Sequence, residues 1–134
     1  MPTVLITGAA RGLGLDFTRR YAARGWKVLA CARHAEGLEG IAGDIHHHPL
    51  EVTDYAAVKA LAARLDGEAI DVLLCNAGVG GQRGSNAQDL GTLDPAEWHR
   101  IFEINTLAPL MMAEAFVDHV ARSQQKKLIA LSSI

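Results

Sequence analysis

The sequence predicts an α/β fold, an open, doubly wound parallel sheet with helices on both faces. Two observations point to it. Short strand-like apolar runs alternate with longer runs of helical periodicity, the pattern of successive βαβ units. A glycine-rich turn, Thr7-Gly8-Ala9-Ala10-Arg11-Gly12-Leu13-Gly14, joins the first strand to the first helix. The expected strand order is 3-2-1-4-5. A length of 134 residues with 49% hydrophobic content fits one ordinary domain over residues 1–134.

The first strand, Thr3 to Thr7, leads through the glycine turn into a helix whose Leu13, Phe17 and Tyr21 recur every four residues as one buried face. Gly25 stops that helix. Lys27 to Cys31 reads as a second buried strand, and a polar connection leads to a third near Ile45 to Val52. Thr53 or Asp54 stands where it can cap the next helix, with Val58, Leu61 and Leu65 as its apolar stripe and Gly67 as its end. Asp71 to Cys75 is a fourth strand, followed by Asn76-Ala77-Gly78. The polar loop Gly80 to Gly91 is too long for a tight connection, and such loops contact substrates. Asp94-Pro95-Ala96-Glu97 places a capping acid, a proline at the first helical position and a carboxylate at the third, a capping-box-like start to a helix reaching about Arg122. Along it Ile101, Phe102, Ala108, Met112, Ala115 and Phe116 form a broad apolar surface that reads as core. Leu128 to Leu131 is a fifth strand, and the chain stops at Ser132-Ser133-Ile134, which leaves the sheet truncated with an exposed apolar edge.

Composition narrows the partners. With 13 basic and 15 acidic residues the formal charge is −2, so no broad basic field favours nucleic acid or anionic lipid. No run approaches the ~20 apolar residues of a membrane span, and the amino terminus enters its first strand without the pattern of a secretory signal. A cytoplasmic address is expected. Cys31 and Cys75 lie in separate apolar runs and read as buried thiols. His46-His47-His48 suggests a metal site, but consecutive strand side chains point to alternating faces and do not converge on one ion, so no metal is expected.

The glycine turn carries the chemistry. A dinucleotide contains a pyrophosphate, and a helix N-terminus offers unpaired N–H groups and partial positive charge to such an anion. Gly8, Gly12 and Gly14 permit close approach, in a GxxxGxG spacing rather than the GxGxxG of the general Rossmann fingerprint. The motif follows a buried strand and opens an amphipathic helix, so the fold is Rossmann-type and the turn is expected to bind a nicotinamide dinucleotide. At the end of the second strand an acid suits the ribose hydroxyls of NAD, whereas a base suits the additional phosphate of NADP. Here Ala32 is followed by Arg33, and Arg11 lies within the turn. Two guanidiniums favour NADP over NAD; the alternative is a pair of solvated surface arginines.

Together with this turn, the CNAG at Cys75 to Gly78, the isolated Asn105 and the terminal LSS make the whole chain resemble the classical short-chain dehydrogenases/reductases. The TGxxxGxG form separates it from the extended, sugar-nucleotide-modifying branch. The resemblance implies an NADP-dependent oxidoreductase acting on a small-molecule carbonyl or alcohol, assembled as a homo-oligomer through the long helix. It implies cofactor contacts from Thr7, Gly8, Ala10, Arg11, Gly12, Leu13, Gly14 and Arg33. It also implies that Asn76, Ala77 and Gly78 stabilise the central sheet and pass beside the adenine ribose, and that Glu51 and Val52 contact adenine. Glu51 replaces the more common aspartate, and Cys75 replaces the first asparagine of NNAG. By the same resemblance Ser133, with Ser132 as the neighbour easily mistaken for it, binds the reacting oxygen, and Asn105 supports a proton-relay water.

Asn105 has a physical reading as well. Pro109 lacks the N–H that would bond the Asn105 carbonyl four residues earlier. A carbonyl released in this way can hold a water, and a simple packing kink is the equal alternative.

Carbonyl reduction also needs an acid beside the substrate. The family supplies it from a YxxxK pair, in which the lysine favours ionised tyrosine, and no such pair follows Ser133. Tyr55-Ala56-Ala57-Val58-Lys59 fits the spacing, but it lies upstream of Asn105 and Ser133 and reads as a decoy. Three functions stay open: the reductase, of which residues 1–134 are an incomplete core; a non-catalytic NAD(P)-binding module or fragment acting through a partner; and an interaction protein that has lost its ligand. Substrate identity, reaction direction and oligomeric state are not legible.

Overall fold

The computed structural model describes residues 1–80 and 90–132. Strands β1 (Thr3–Thr7), β2 (Lys27–Ala32), β3 (Ile45–Pro49), β4 (Val72–Cys75) and β5 (Lys127–Ala130) form one parallel sheet in the order β3-β2-β1-β4-β5. This is the expected order. Helices α1 (Gly12–Ala23), α2 (Tyr55–Arg64), α3 (Pro95–Phe102) and α4 (Ala108–Ala121) connect the strands.

Alternation along the strands sorts the core into two layers. Leu5, Leu29 and Leu73 point to one face, where they meet Val58 and Leu61 of α2 and Met112 and Phe116 of α4. Val4, Ile6, Val28 and Leu74 point to the other, against Ala22 and the partly buried Phe17 and Tyr21 of α1. β1 is buried along its whole length, as a central strand covered on both faces must be. Asp71 pins the end of the sheet remote from the strand C-termini. Its Oδ2 accepts from the Thr3 N–H at 3.0 Å and its Oδ1 from the Gln124 and Gln125 N–H groups at 3.2 Å.

Several local expectations need correction. In α1 the buried positions are Gly14, Thr18 and Ala22, while Leu13 is exposed. The helix packs so closely on the glycine turn that only small side chains fit its inner stripe, which displaces Phe17 and Tyr21 to the flank. The third strand ends at Pro49 rather than Val52. Proline supplies no ladder N–H, and the Asp54 N–H bonded to Glu51 O at 3.0 Å curls residues 51–54 into a turn. Asp54, rather than Thr53, caps α2 by accepting from the Ala57 N–H at 3.1 Å.

The expected single helix after Asp94 is divided. Asp94 caps α3 through the Ala96 N–H at 3.1 Å, but Glu97 turns to Arg100, 2.9 Å away, instead of closing a capping box. Between α3 and α4 lies a π-helical turn, Glu103–Leu107, in which the Ala108 N–H reaches back five residues to Glu103 O. Pro109 cannot donate the next helical bond, and one extra residue in the turn lets the ladder resume beyond it. Phe102 is 55% exposed and therefore is not core. Among the described residues no helix is long and apolar enough to cross a membrane.

Candidate nucleotide site

β1, β2 and β4 end side by side at Thr7, Ala32 and Cys75, and α1 starts beside them. The chain leaves β1 through Gly8 at φ +65° and enters α1 through Gly12 at φ +54°, a left-handed region that glycine occupies without a Cβ clash. Arg11 holds the N-cap position without a side-chain hydrogen bond, and no acidic residue lies in the first turn. The first N–H groups of α1 are therefore uncapped by side chains and their partial positive charge is not offset. Thr18 braces this turn from below, donating from Oγ1 toward Ala9 O at 3.1 Å and Gly14 O at 2.9 Å. A Cβ on Gly14 would overlap the Gly8 carbonyl and the Asn76 amide, whereas one on Gly12 would meet nothing within 4 Å.

Thr7 and Asn76 lock the turn to β4. The buried Thr7 Oγ1 accepts from the Asn76 and Ala77 N–H groups, each at 3.0 Å. Asn76 Nδ2 donates to Thr7 O at 3.1 Å and to Gly8 O at 3.2 Å. Asn105, in the π-helical turn, clamps the backbone of Val79. Its Oδ1 accepts from Val79 N at 2.8 Å and its Nδ2 donates to Val79 O at 2.7 Å.

These elements frame a cleft of about 920 Å³ across the strand ends. Gly8, Ala10, Arg11, Gly12, Leu13, Arg33, Glu51, Val52, Asn76, Ala77 and Gly78 all line it. Thr7, Gly14 and Asn105 do not; they stand behind the lining and hold it in place. The structure adds His34, Thr53, Val79, Arg100, Glu103 and Ile104 to the walls. Sequence reading missed these residues because they follow strand ends or lie on α3 and the π turn, with no motif to mark them. On the rim, Arg33 Nη1 lies 3.7 Å from Glu51 Oε2.

Other readings resolve by position. Tyr55 and Lys59 lie off the cleft. The Tyr55 hydroxyl donates to Glu103 Oε1 at 3.0 Å, and desolvation together with this carboxylate raises its pKa, the opposite of what an activated tyrosine requires. His46 Nε2 pairs with Asp44 Oδ1 at 2.6 Å, while His47 Nε2 contacts Ala32 O at 3.0 Å. These histidines have separate partners. Among the described residues no group of three or more histidine, cysteine, aspartate or glutamate side chains is placed to hold a metal. Ser133, and the span 81–89 of the expected substrate loop, lie outside the described residues.

The family model for short chain dehydrogenases matches residues 2–134. The chain belongs to the short-chain dehydrogenase family. It is 33% identical to galactitol 2-dehydrogenase of Agrobacterium fabrum over 136 residues, covering 96% of this chain and 51% of that protein. Its fold matches that of an alcohol dehydrogenase from the archaeon Thermococcus sibiricus, solved with 5-hydroxy-NADP, with a TM-score of 0.79 at 29% identity over 92% of this chain and 55% of that one. A metagenomic short-chain oxidoreductase in complex with NADP matches with a TM-score of 0.74 at 31% identity, over 90% and 56% of the two chains. The chain spans about half the length of the curated relatives it matches. The chain shares its parallel-sheet fold with these relatives.

Proposed function

We propose that this chain forms the cofactor-binding part of an NADP-dependent oxidoreductase acting on a small-molecule carbonyl or alcohol. One observation carries the reading: the uncapped N-terminus of α1 opens, through a glycine turn, onto the 920 Å³ cleft whose rim bears Arg11 and Arg33. The residues fit the group. The α1 N–H groups suit a pyrophosphate, the open space above Gly12 admits its close approach, and the two guanidiniums suit an additional phosphate. When bound, the dinucleotide supplies a hydride donor or acceptor.

The chain's own residues then divide the work. Gly8, Ala10, Gly12 and Leu13 form the cradle, with Thr7, Asn76 and Gly14 keeping it in register. Val52 and Glu51 face the adenine region, and Ala77 and Gly78 face the ribose. Asn105 positions Val79 and, in this reading, supports the relay water, while Ser133 holds the reacting oxygen. The stripe of exposed Leu107, Leu110 and Val117 supports association of two copies, and two free, buried cysteines accord with a cytoplasmic address.

The test is binding. NADPH is expected to bind more tightly than NADH, by about tenfold or more for charge-assisted contacts to a phosphate. Arg33→Asp is expected to remove that preference. Equal affinities in the parent, or an unchanged preference in the variant, would reject the NADP assignment.

A second reading, a binding module without turnover of its own, is favoured by the tyrosines. The chain has two: Tyr55 bonds Glu103 and Tyr21 packs edge-on against Trp26, with neither in the cleft. Cofactor binding without any carbonyl reduction by the 134-residue chain would select it.

A further inference from the structure

We propose that Glu51 sets how strongly the cleft discriminates between the two nicotinamide dinucleotides, by competing with the 2′-phosphate of NADP for the Arg33 guanidinium. The inference rests on the nucleotide reading of the cleft given above.

The sheet brings the two residues together. Ala32 pairs with Pro49 across β2 and β3, and the Leu50 N–H donates to Ala32 O at 3.2 Å, so Arg33 and Glu51 leave the sheet side by side. Glu51 Oε2 then lies 3.7 Å from Arg33 Nη1, and Glu51 Oε1 accepts from Thr53 Oγ1 at 3.2 Å. The threonine tethers one carboxylate oxygen while the other faces the guanidinium. The side chains are 63% and 44% exposed, so the pair is weak and open to exchange with a solute. Of the other two arginines that line the cleft, Arg11 has no ion-pair partner among the described residues, and Arg100 pairs with Glu97 rather than Glu51. Competition therefore falls on Arg33.

A phosphate monoester carries about two negative charges near neutral pH and seeks the same donors that Glu51 holds. To bind it, Arg33 must release or share the carboxylate, which then faces a like charge across the rim. The 2′-hydroxyl of NAD is neutral and imposes neither cost, and a carboxylate can accept its hydrogen bond. Glu51 thus weakens NADP binding and spares NAD, narrowing a preference that the two arginines alone would make steep.

The test measures dissociation constants of NADP⁺ and NAD⁺ by calorimetry for the parent chain, Glu51→Gln, Arg33→Ala and the double variant. Glu51→Gln is expected to tighten NADP⁺ about fivefold relative to NAD⁺, and to lose that gain when Arg33 is alanine. NADP⁺ affinity unchanged or weakened in Glu51→Gln, or a gain that persists without Arg33, overturns the competition and leaves the nucleotide reading standing. Failure of the parent to bind either dinucleotide overturns both. Should the glutamine variant not fold, Glu51→Ala carries the same expectations.

Discussion

Gly12 and Gly14 sit two residues apart in one turn, yet substitution tests a different property at each. A methyl on Gly14 drives into the Gly8 carbonyl and the Asn76 side chain, which are themselves bonded to each other. Gly14→Ala is therefore expected to cost about 3 kcal/mol of stability, read as a fall in the denaturant midpoint. Gly12→Ala meets open space but must hold φ +54°, a cost of about 1 kcal/mol. Its larger effect is expected on dinucleotide affinity, because the methyl projects where the ligand would lie. A Gly14→Ala protein as stable as its parent would contradict the packing described. The spacing of these glycines was legible in sequence, and so was their association with a strand and a helix. Thr7 was legible only as a member of the motif; its two accepted N–H bonds come from Asn76 and Ala77, some 70 positions away.

The π-helical turn Glu103–Leu107 is the element on which the site depends most indirectly. It places Asn105 where both side-chain groups meet the backbone of Val79. Asn105→Ala is expected to cost about 1–2 kcal/mol locally and to accelerate hydrogen exchange of the Val79 amide, with weaker dinucleotide binding as a consequence. Asn105→Asp keeps the acceptor for Val79 N–H but sets a carboxylate against Val79 O, so it should not rescue. An unchanged Val79 exchange rate in Asn105→Ala would refute the clamp. Pro109 announced a disturbance in this helix, but its form depends on the ladder around it, and a register of five residues leaves no composition signal. At the other end of the sheet, β5 is exposed along its length, with Leu128 at 49% and Ile129 at 37%. Among the described residues no strand pairs with its outer side, and an unpaired apolar edge promotes association. Ile129→Lys is expected to lower the concentration-dependent self-association of the 134-residue chain in light scattering; an unchanged mass distribution would show that the edge is not the adhesive surface.

Across the whole molecule, the two cysteines report on the integrity of the layers. Burial, with a contribution from Cys75, pushes the Cys31 thiol up from 9.0 to about 12, and burial pushes Cys75 up to about 11. Below the unfolded value of 9.0 both states keep their protons, and the stability these thiols contribute is fully present. As pH rises past 9.0 the unfolded chain releases protons that the folded chain retains, so stability falls until the folded thiols titrate. The thermal midpoint is thus expected to decline above pH 9.0. Near pH ~8, iodoacetamide should label neither cysteine in the native protein and both in denaturant, since the thiolate is the reactive form. Rapid native labelling would contradict the burial of both.

Periodicity and glycine placement were enough to read the doubly wound sheet and its two helical layers, because these depend on local backbone preference and on alternation along each element; most of the eleven cleft-lining residues came from the family resemblance, and Arg11 and Arg33 from their charge. Contact across the sheet lay beyond them. Which face of α1 is buried and that Glu51 reaches Arg33 are set by neighbours distant in the chain. Close approach of α1 to the turn leaves room only for Gly14, Thr18 and Ala22, and the parallel pairing of β2 with β3 brings two opposite charges to one rim. Local pattern chooses the elements, whereas excluded volume and charge between them choose which residues share the cleft.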